Sequence, residues 1–155
     1  MIKIIKAKQS DIPEVKNLVA DSLREYHLEF DPLGTDKDLE DIQEEYFNNK
    51  GVFKTVIKQP GREIIACYGL YRIANGTCEL RKMYLTKDMR GKGVGRQMMN
   101  DAFIEAKRLG YKKIILETNS ILKEAVSMYK KYGFVEYSPE HLSSRCNLGM
   151  YKVIS

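Results

Sequence analysis

Tryptophan is absent from this chain of 155 residues, histidine occurs twice, cysteine three times and proline four times. Cys67, Cys78 and Cys146 are odd in number and far apart, with no Cys-x-x-Cys pair, so neither a disulfide framework nor a zinc site is expected. His27 and His141 each lack a second ligand at helical spacing, and no metal is expected. Long apolar runs are missing too. The opening Met1-Ile-Lys-Ile-Ile-Lys is too short for a secretory leader, and no later window reaches membrane-spanning length. The expectation is a cytoplasmic protein with no membrane partner.

What is present suits a folded chain. Hydrophobic residues make up 43% and charged residues 30%, and the length suits one domain, 1–155, able to bury a core without staples. The formal net charge of +5 could signal nucleic acid, but its distribution argues otherwise. Ten acidic residues lie between Asp21 and Glu45 against Arg24 and Lys37, whereas six basic residues lie between Arg81 and Arg96 against Asp88. The pair suits a polyanionic cofactor on one side and a cationic substrate on the other. The ten tyrosines are not interleaved with basic residues in the manner of an RNA-binding sheet, so no nucleic-acid partner is expected.

Local pattern gives the element order. Ile2, Ile4 and Ile5 mark a first strand. Ser10-Asp11, with Glu14 following, reads as the cap of a helix whose Ile12, Val15, Leu18, Val19, Leu23 and Tyr26 fall at helical spacing. Thr35 with Asp38 reads as the cap of a second helix burying Leu39, Ile42 and Tyr46, stopped by Gly51. Val52 to Lys58 and Glu63 to Ile73 form a hairpin across Gln59-Pro60-Gly61-Arg62, and Asn75-Gly76 turns into a third antiparallel strand, Thr77 to Leu85. The apolar phase of that strand slips at Arg81-Lys82, as a β-bulge would make it. A helix follows on Val94, Met98, Ala102, Ala106 and Leu109, then a strand from Lys112 to Glu117 that should lie parallel to its predecessor. A helix beginning at Thr118-Asn119-Ser120 carries Ile121, Ala125, Met128, Tyr129 and Tyr132. Phe134 to Tyr137 and Cys146 to Ile154 read as closing strands. The expected fold is α/β (α+β), a mixed sheet of about six to seven strands with about four helices, in the order β-α-α-β-β-β-α-β-α-β-β.

The stretch with most chemical content is Arg90-Gly91-Lys92-Gly93-Val94-Gly95-Arg96. Three glycines opening a helix allow the backbone to approach a ligand, and the unpaired N–H groups of the first turn, with the helix dipole and nearby cations, favour an anion. A P-loop would place Lys then Ser or Thr after the last glycine, where Arg96-Gln97 stand. A dinucleotide turn would follow its strand directly; here Thr86-Lys87-Asp88-Met89 intervenes and the third glycine comes one residue early.

Arg90, Gly93 and Gly95 fill the acetyl-coenzyme A loop pattern of the GCN5-related N-acetyltransferases. Glu-Leu-Arg-Lys-Met-Tyr-Leu before it, and Ala125-Val-Ser-Met-Tyr129-Lys-Lys-Tyr-Gly133-Phe134 after it, extend the resemblance from about Cys78 to Phe134. It implies acetyl transfer from acetyl-CoA to a primary amine of a small molecule or peptide, in a ternary complex. In that family the strand before the loop and the next strand splay apart round the pantetheine. The resemblance therefore assigns Met83, Tyr84 and Leu85 to the pantetheine, Arg90, Gly91, Lys92, Gly93, Val94, Gly95 and Arg96 to the pyrophosphate, and Asn119 to the pantetheine as well. It also places the acceptor among residues of about 26 to 36 and 137 to 146.

Glu79 lies eleven residues before Arg90, the offset at which a number of family members carry a general base. Pairing of Glu79 with a neighbouring cation across the sheet is the alternative. Tyr129 stands at the tyrosine of the family's helix motif and is the implied general acid; a tyrosine in an apolar stripe is otherwise core. Leu122 stands where many members have a cofactor-touching asparagine, while Leu116-Glu117-Thr118 resembles the strand ending of another subset. A non-catalytic acyl-CoA- or nucleotide-binding regulator is the competing reading, and assembly, a homodimer included, is left open.

Overall fold

The structure, a computed structural model, describes residues 1–154. Seven strands form one mixed sheet: β1 (Ile2–Lys6), β2 (Val52–Lys58), β3 (Glu63–Ala74), β4 (Thr77–Leu85), β5 (Lys113–Thr118), β6 (Val135–Tyr137) and β7 (Leu148–Val153), in the order β1-β2-β3-β4-β5-β7-β6. Four helices, α1 (Ile12–Arg24), α2 (Ile42–Glu45), α3 (Val94–Arg108) and α4 (Lys123–Lys131), fall between them in the order read from the sequence. The apolar stripes determine which face each helix covers. Val15, Leu18, Val19 and Leu23 of α1 pack with Ile42 and Phe53 on one side. Val94, Met98, Ala102 and Ala106 of α3 pack with Leu80, Ile114 and Leu116 on the other, joined by Tyr129 of α4.

Local signals were misread at three helix starts. Asp11 stands at the N-cap of α1 but its side chain makes no capping bond there: its carboxylate accepts from the Lys8 N–H at 2.9 Å and pairs with Arg62 at 2.8 Å, and Pro13 sits in the helix's first turn. The second helix is a chain of short turns, and its α-helical part is capped by Asp41, which accepts from the Glu44 N–H at 3.1 Å. Asp38, expected as a cap, is buried and receives the Tyr46 hydroxyl. The stretch from Asn119 to Leu122 is a turn, so α4 starts at Lys123 and Ile121 is 42% exposed.

The decisive feature lies at the middle of the sheet. β4 and β5 are parallel and paired only from Thr77/Lys113 to Glu79/Ile115. Past that point β4 stays with β3 as far as Leu85, while β5 stays with β7 as far as Thr118, and the two strands diverge. A bulge bends β4 away. Lys82 takes a positive φ of 55°, and the β3–β4 register shifts between Cys67 and Gly69. An extra residue in one strand raises its local twist and turns the chain from its neighbour.

Candidate active site

The wedge between β4 and β5 opens into a cavity of about 1010 Å³. Met83, Tyr84 and Leu85 line it from β4; Glu117, Thr118 and Asn119 from the end of β5; and Ala125, Met128 and Tyr129 from α4. One end meets the glycine loop. Gly91 and Gly93 have φ of 75° and 82°, a region from which a side chain is largely excluded, and Gly93 sits immediately before the first residue of α3. The Gln97 N–H is the first to find a partner inside the helix, at Gly93. The preceding N–H groups of Val94, Gly95 and Arg96 therefore remain available to an anion. Val94 itself is buried in the core and Lys92 is exposed, so of these two the first can offer only main chain.

Arg90 is not a free cation over this loop. Its guanidinium forms a two-point pair with Glu25, at 2.8 and 2.9 Å, and donates to the Leu85 carbonyl at 3.2 Å. It thus ties the loop to the end of α1 and to the last residue of β4. Asn119 is similarly occupied: its amide donates to the Arg145 carbonyl at 3.0 Å and its oxygen accepts from the Ile121 N–H at 3.0 Å. Both side chains border the cavity while holding its walls together.

Glu79 and Tyr129 face the cavity from opposite layers. Glu79 is 6% exposed, and burial raises its carboxyl pKa even though Arg81, bonded to it through Nε, pulls the other way. The Arg81 guanidinium in turn lies 3.7 Å from the centre of the Tyr71 ring. Glu79 thus has an ion-pair partner in Arg81 while still lining the cavity. Burial pushes the Tyr129 hydroxyl up to about 12, with the neighbouring Cys146 thiol adding to the effect. Tyr132, in the same stripe, packs against Phe103.

Sequence reasoning placed the loops of the second half of the wall but not the charges that fasten them. Asp36, fully buried, receives Arg145 at 2.6 and 2.9 Å and the Asp31 N–H at 2.8 Å, and lies 3.3 Å from the Lys82 ammonium. Burial would raise its carboxyl, but Arg145, the Asp31 N–H and Lys82 together leave it below the ordinary range. Lys82 also meets Asp38 at 3.1 Å and the Thr35 carbonyl at 3.0 Å. The bulge in β4, the chain round Thr35 and the chain round Arg145 are therefore fastened at one point. Much of the acidity of residues 21 to 45 is consumed in this way: Asp21, Glu25, Asp36, Asp38 and Glu40 all have basic partners within the protein. The sequence carried no local signal for pairs such as Asp36 and Arg145, which are 109 residues apart. Cys146 is half-buried and borders the cavity, while Cys67 and Cys78 are buried.

The Acetyltransferase (GNAT) family profile matches residues 17–134. The chain belongs to that family. It is 30% identical over 129 residues to the uncharacterized N-acetyltransferase YjgM of Escherichia coli, covering 80% of this chain and 76% of that one. An uncharacterized N-acetyltransferase of Schizosaccharomyces pombe is 25% identical over 139 residues, or 89% of this chain and 84% of the relative. Among solved structures, a GNAT-family acetyltransferase from Staphylococcus aureus superposes over the whole of both chains with a TM-score of 0.92 at 24% identity. The spermidine N-acetyltransferase of Vibrio cholerae, solved with CoA and spermine, shares the fold with a TM-score of 0.73 at 20% identity, over 99% of this chain and 95% of that one. This GNAT protein is an acyl-CoA-dependent acetyltransferase. Among its described residues no group of three or more His, Cys, Asp or Glu could hold a metal ion, and no helix is long and apolar enough to cross a membrane.

Proposed function

We propose that this GNAT enzyme transfers an acetyl group directly from acetyl-CoA to the primary amine of a small molecule or peptide. The observation that carries the reading is the wedge itself: a parallel pair that parts at Glu79, with a phosphate-suited helix start at one end and a buried tyrosine beside the gap. In this reading the N–H groups of Val94, Gly95 and Arg96 hold the pyrophosphate, with Gly91 and Gly93 admitting it to the backbone. Met83, Tyr84 and Leu85 line the pantetheine arm. Arg90, Lys92 and Asn119 serve the same site less directly: Arg90 and Asn119 shape its walls, and Lys92 adds positive charge at the mouth.

The chemistry follows from the two titratable groups. An aliphatic amine arrives as an ammonium ion and must lose a proton before its lone pair can attack the thioester carbon. Glu79, its pKa raised by burial and its charge answered by Arg81, takes that proton through the carboxylate oxygen that Arg81 leaves free. The nitrogen–carbon bond forms, the carbon–sulfur bond breaks with its electron pair leaving on sulfur, and the nitrogen sheds its second proton to give the neutral amide, balancing the proton that sulfur takes up. A Tyr129 hydroxyl at about 12 is protonated at neutral pH and can donate to that sulfur. Because it is a weaker acid than a thiol at ~8.5, its proton helps most while negative charge is building on sulfur, before a free thiolate exists.

The test is release of free thiol from acetyl-CoA with a panel of primary amines, comparing the wild type with Glu79→Gln. The expected outcome is turnover with at least one aliphatic amine, and a loss in the variant that is greatest at low pH and eases as free amine becomes available without a base. Equal rates in both proteins across the pH range would reduce Glu79 to the partner of Arg81.

A further inference from the structure

Glu79 is not the sole carboxylate on its face of the wedge. β5 begins its divergence at Ile115, the residue paired with Glu79, and two residues on, on the same face, stands Glu117. Its neighbours in β5, Leu116 and Thr118, point into the opposite layer, where both are buried. Glu117 lines the cavity and accepts the Ser143 N–H at 2.8 Å through one oxygen, Oε1. That bond anchors the chain after β6 and leaves the second oxygen without a protein partner among the described residues. Around it are Glu79 from β4, Tyr137 from β6 and the Cys146 thiol. None is a cation, and its negative charge adds to the burial that raises the pKa of Glu79, Tyr137 and Cys146.

The two carboxylates therefore differ in one respect. Glu79 has its counter-charge built in, through Arg81, whereas Glu117 has none of its own. An uncompensated carboxylate on the wall of a partly enclosed cavity is stabilised by an arriving cation, and the arriving substrate of this reaction is one. We infer that Glu117 docks the acceptor as its ammonium ion, on the face of β5 next to the base, before Glu79 removes the proton. This assignment rests on the amine acetylation proposed above and divides it into two steps on adjacent strands. Glu117 draws in and orients the charged amine, and Glu79 neutralises it. It also defines a preference: a simple alkylammonium suits the pair of carboxylates, while an α-amino acid, whose own carboxylate would lie beside them, does not.

The experiment uses the full chain, saturating acetyl-CoA and thiol release, with butylamine, 1,4-diaminobutane, spermidine and glycine as acceptors. Glu117→Gln keeps an oxygen for the Ser143 N–H and removes only the charge. The expected result is a rise in KM for the best alkylamine of roughly 10-fold or more, the scale of a lost charged hydrogen bond. In the same variant kcat falls by much less, acetyl-CoA affinity and Tm hold, and the preference for alkylamine over glycine shrinks. Glu117→Ala, which also frees Ser143, should show the same KM effect, so a folding defect in one variant leaves the other to decide. An unchanged KM in Glu117→Gln overturns the docking role while leaving the acetyltransferase reading intact. Turnover of no alkylamine by the wild type overturns both.

Discussion

Tyr129 belongs at once to the core and to the cavity wall. It is 6% exposed and meets Phe134 edge to face with ring centres 5.9 Å apart, as a structural aromatic would. Yet its hydroxyl borders the cavity, and burial together with the Cys146 thiol, with no hydrogen bond contributing, accounts for its raised pKa. Removing that oxygen therefore costs little packing and leaves no protein group unpaired. Tyr129→Phe should keep its Tm and its affinity for acetyl-CoA while kcat falls by roughly 10²-fold, the usual scale for a positioned acid. Calorimetry and thiol release separate the two effects; a wild-type kcat in this variant would leave the proton to water and return Tyr129 to the core. The buried charges obey a stricter rule. Asp36, with no exposed surface, is tolerable because Arg145, Lys82 and a backbone N–H answer it, and deleting one partner of such a group typically costs about 3–5 kcal/mol.

At the scale of an element, the helix start of α3 combines two requirements. Gly91 and Gly93 adopt a positive φ, which l-residues resist, and the first N–H groups of the helix stay unpaired, which only a ligand or water can correct. A methyl group built at Gly93 would meet no protein atom within 4 Å, so the space beside it is open. Gly93→Ala should therefore lose about 1–2 kcal/mol, the cost of the left-handed conformation, which at this chain length is a few degrees of Tm. Its acetyl-CoA affinity should fall by far more, at least 10-fold, because in the proposed binding mode the methyl stands where the pyrophosphate approaches the backbone. Unchanged affinity measured by titration calorimetry would make the loop a structural turn. The bulge in β4 is a second element-scale device. A regular strand would continue the ladder with β5 and close the gap, so the positive φ of Lys82 is held by the ion pairs at the end of that side chain.

For the whole molecule, the site is a seam between parts that do not otherwise meet in sequence. β4 and β5 supply its walls, α3 and α4 its glycine-loop end and one side, and the loops round Thr35 and Arg145 its cover. Anything bound there contacts every layer of the fold and is lost on unfolding, so mass action applies to global stability. Acetyl-CoA at about 100 times its Kd should raise Tm by roughly 5–10 °C, from a stabilisation of about 2.7 kcal/mol. NAD at the same concentration should not. Differential scanning fluorimetry checks both, and the reverse pattern would favour the nucleotide-binding alternative.

The sequence by itself determined what depends on neighbours along the chain. Alternating and 3.6-residue periods located the seven strands and the larger helices, Asn75-Gly76 gave its turn, and the phase slip at Arg81-Lys82 identified a bulge that the positive φ of Lys82 bears out. Gly91 and Gly93 were readable as turn residues for the same reason: φ is a local property. The tertiary structure alone decided what depends on distance in space. Nothing near Arg90 in sequence shows that Glu25 claims it, nor does anything near Asp36 show that Arg145 and Lys82 neutralise it. Of the ten acidic residues between 21 and 45, which looked like an invitation to a cationic substrate, five are paired with basic side chains of the protein itself. The wall carboxylate without an ion-pair partner proved to be Glu117, which the sequence marked only as part of the Leu116-Glu117-Thr118 strand ending. Charges act across a few ångströms of space regardless of chain separation, so their partners, and hence what remains free to meet a substrate, are settled only when the chain has folded.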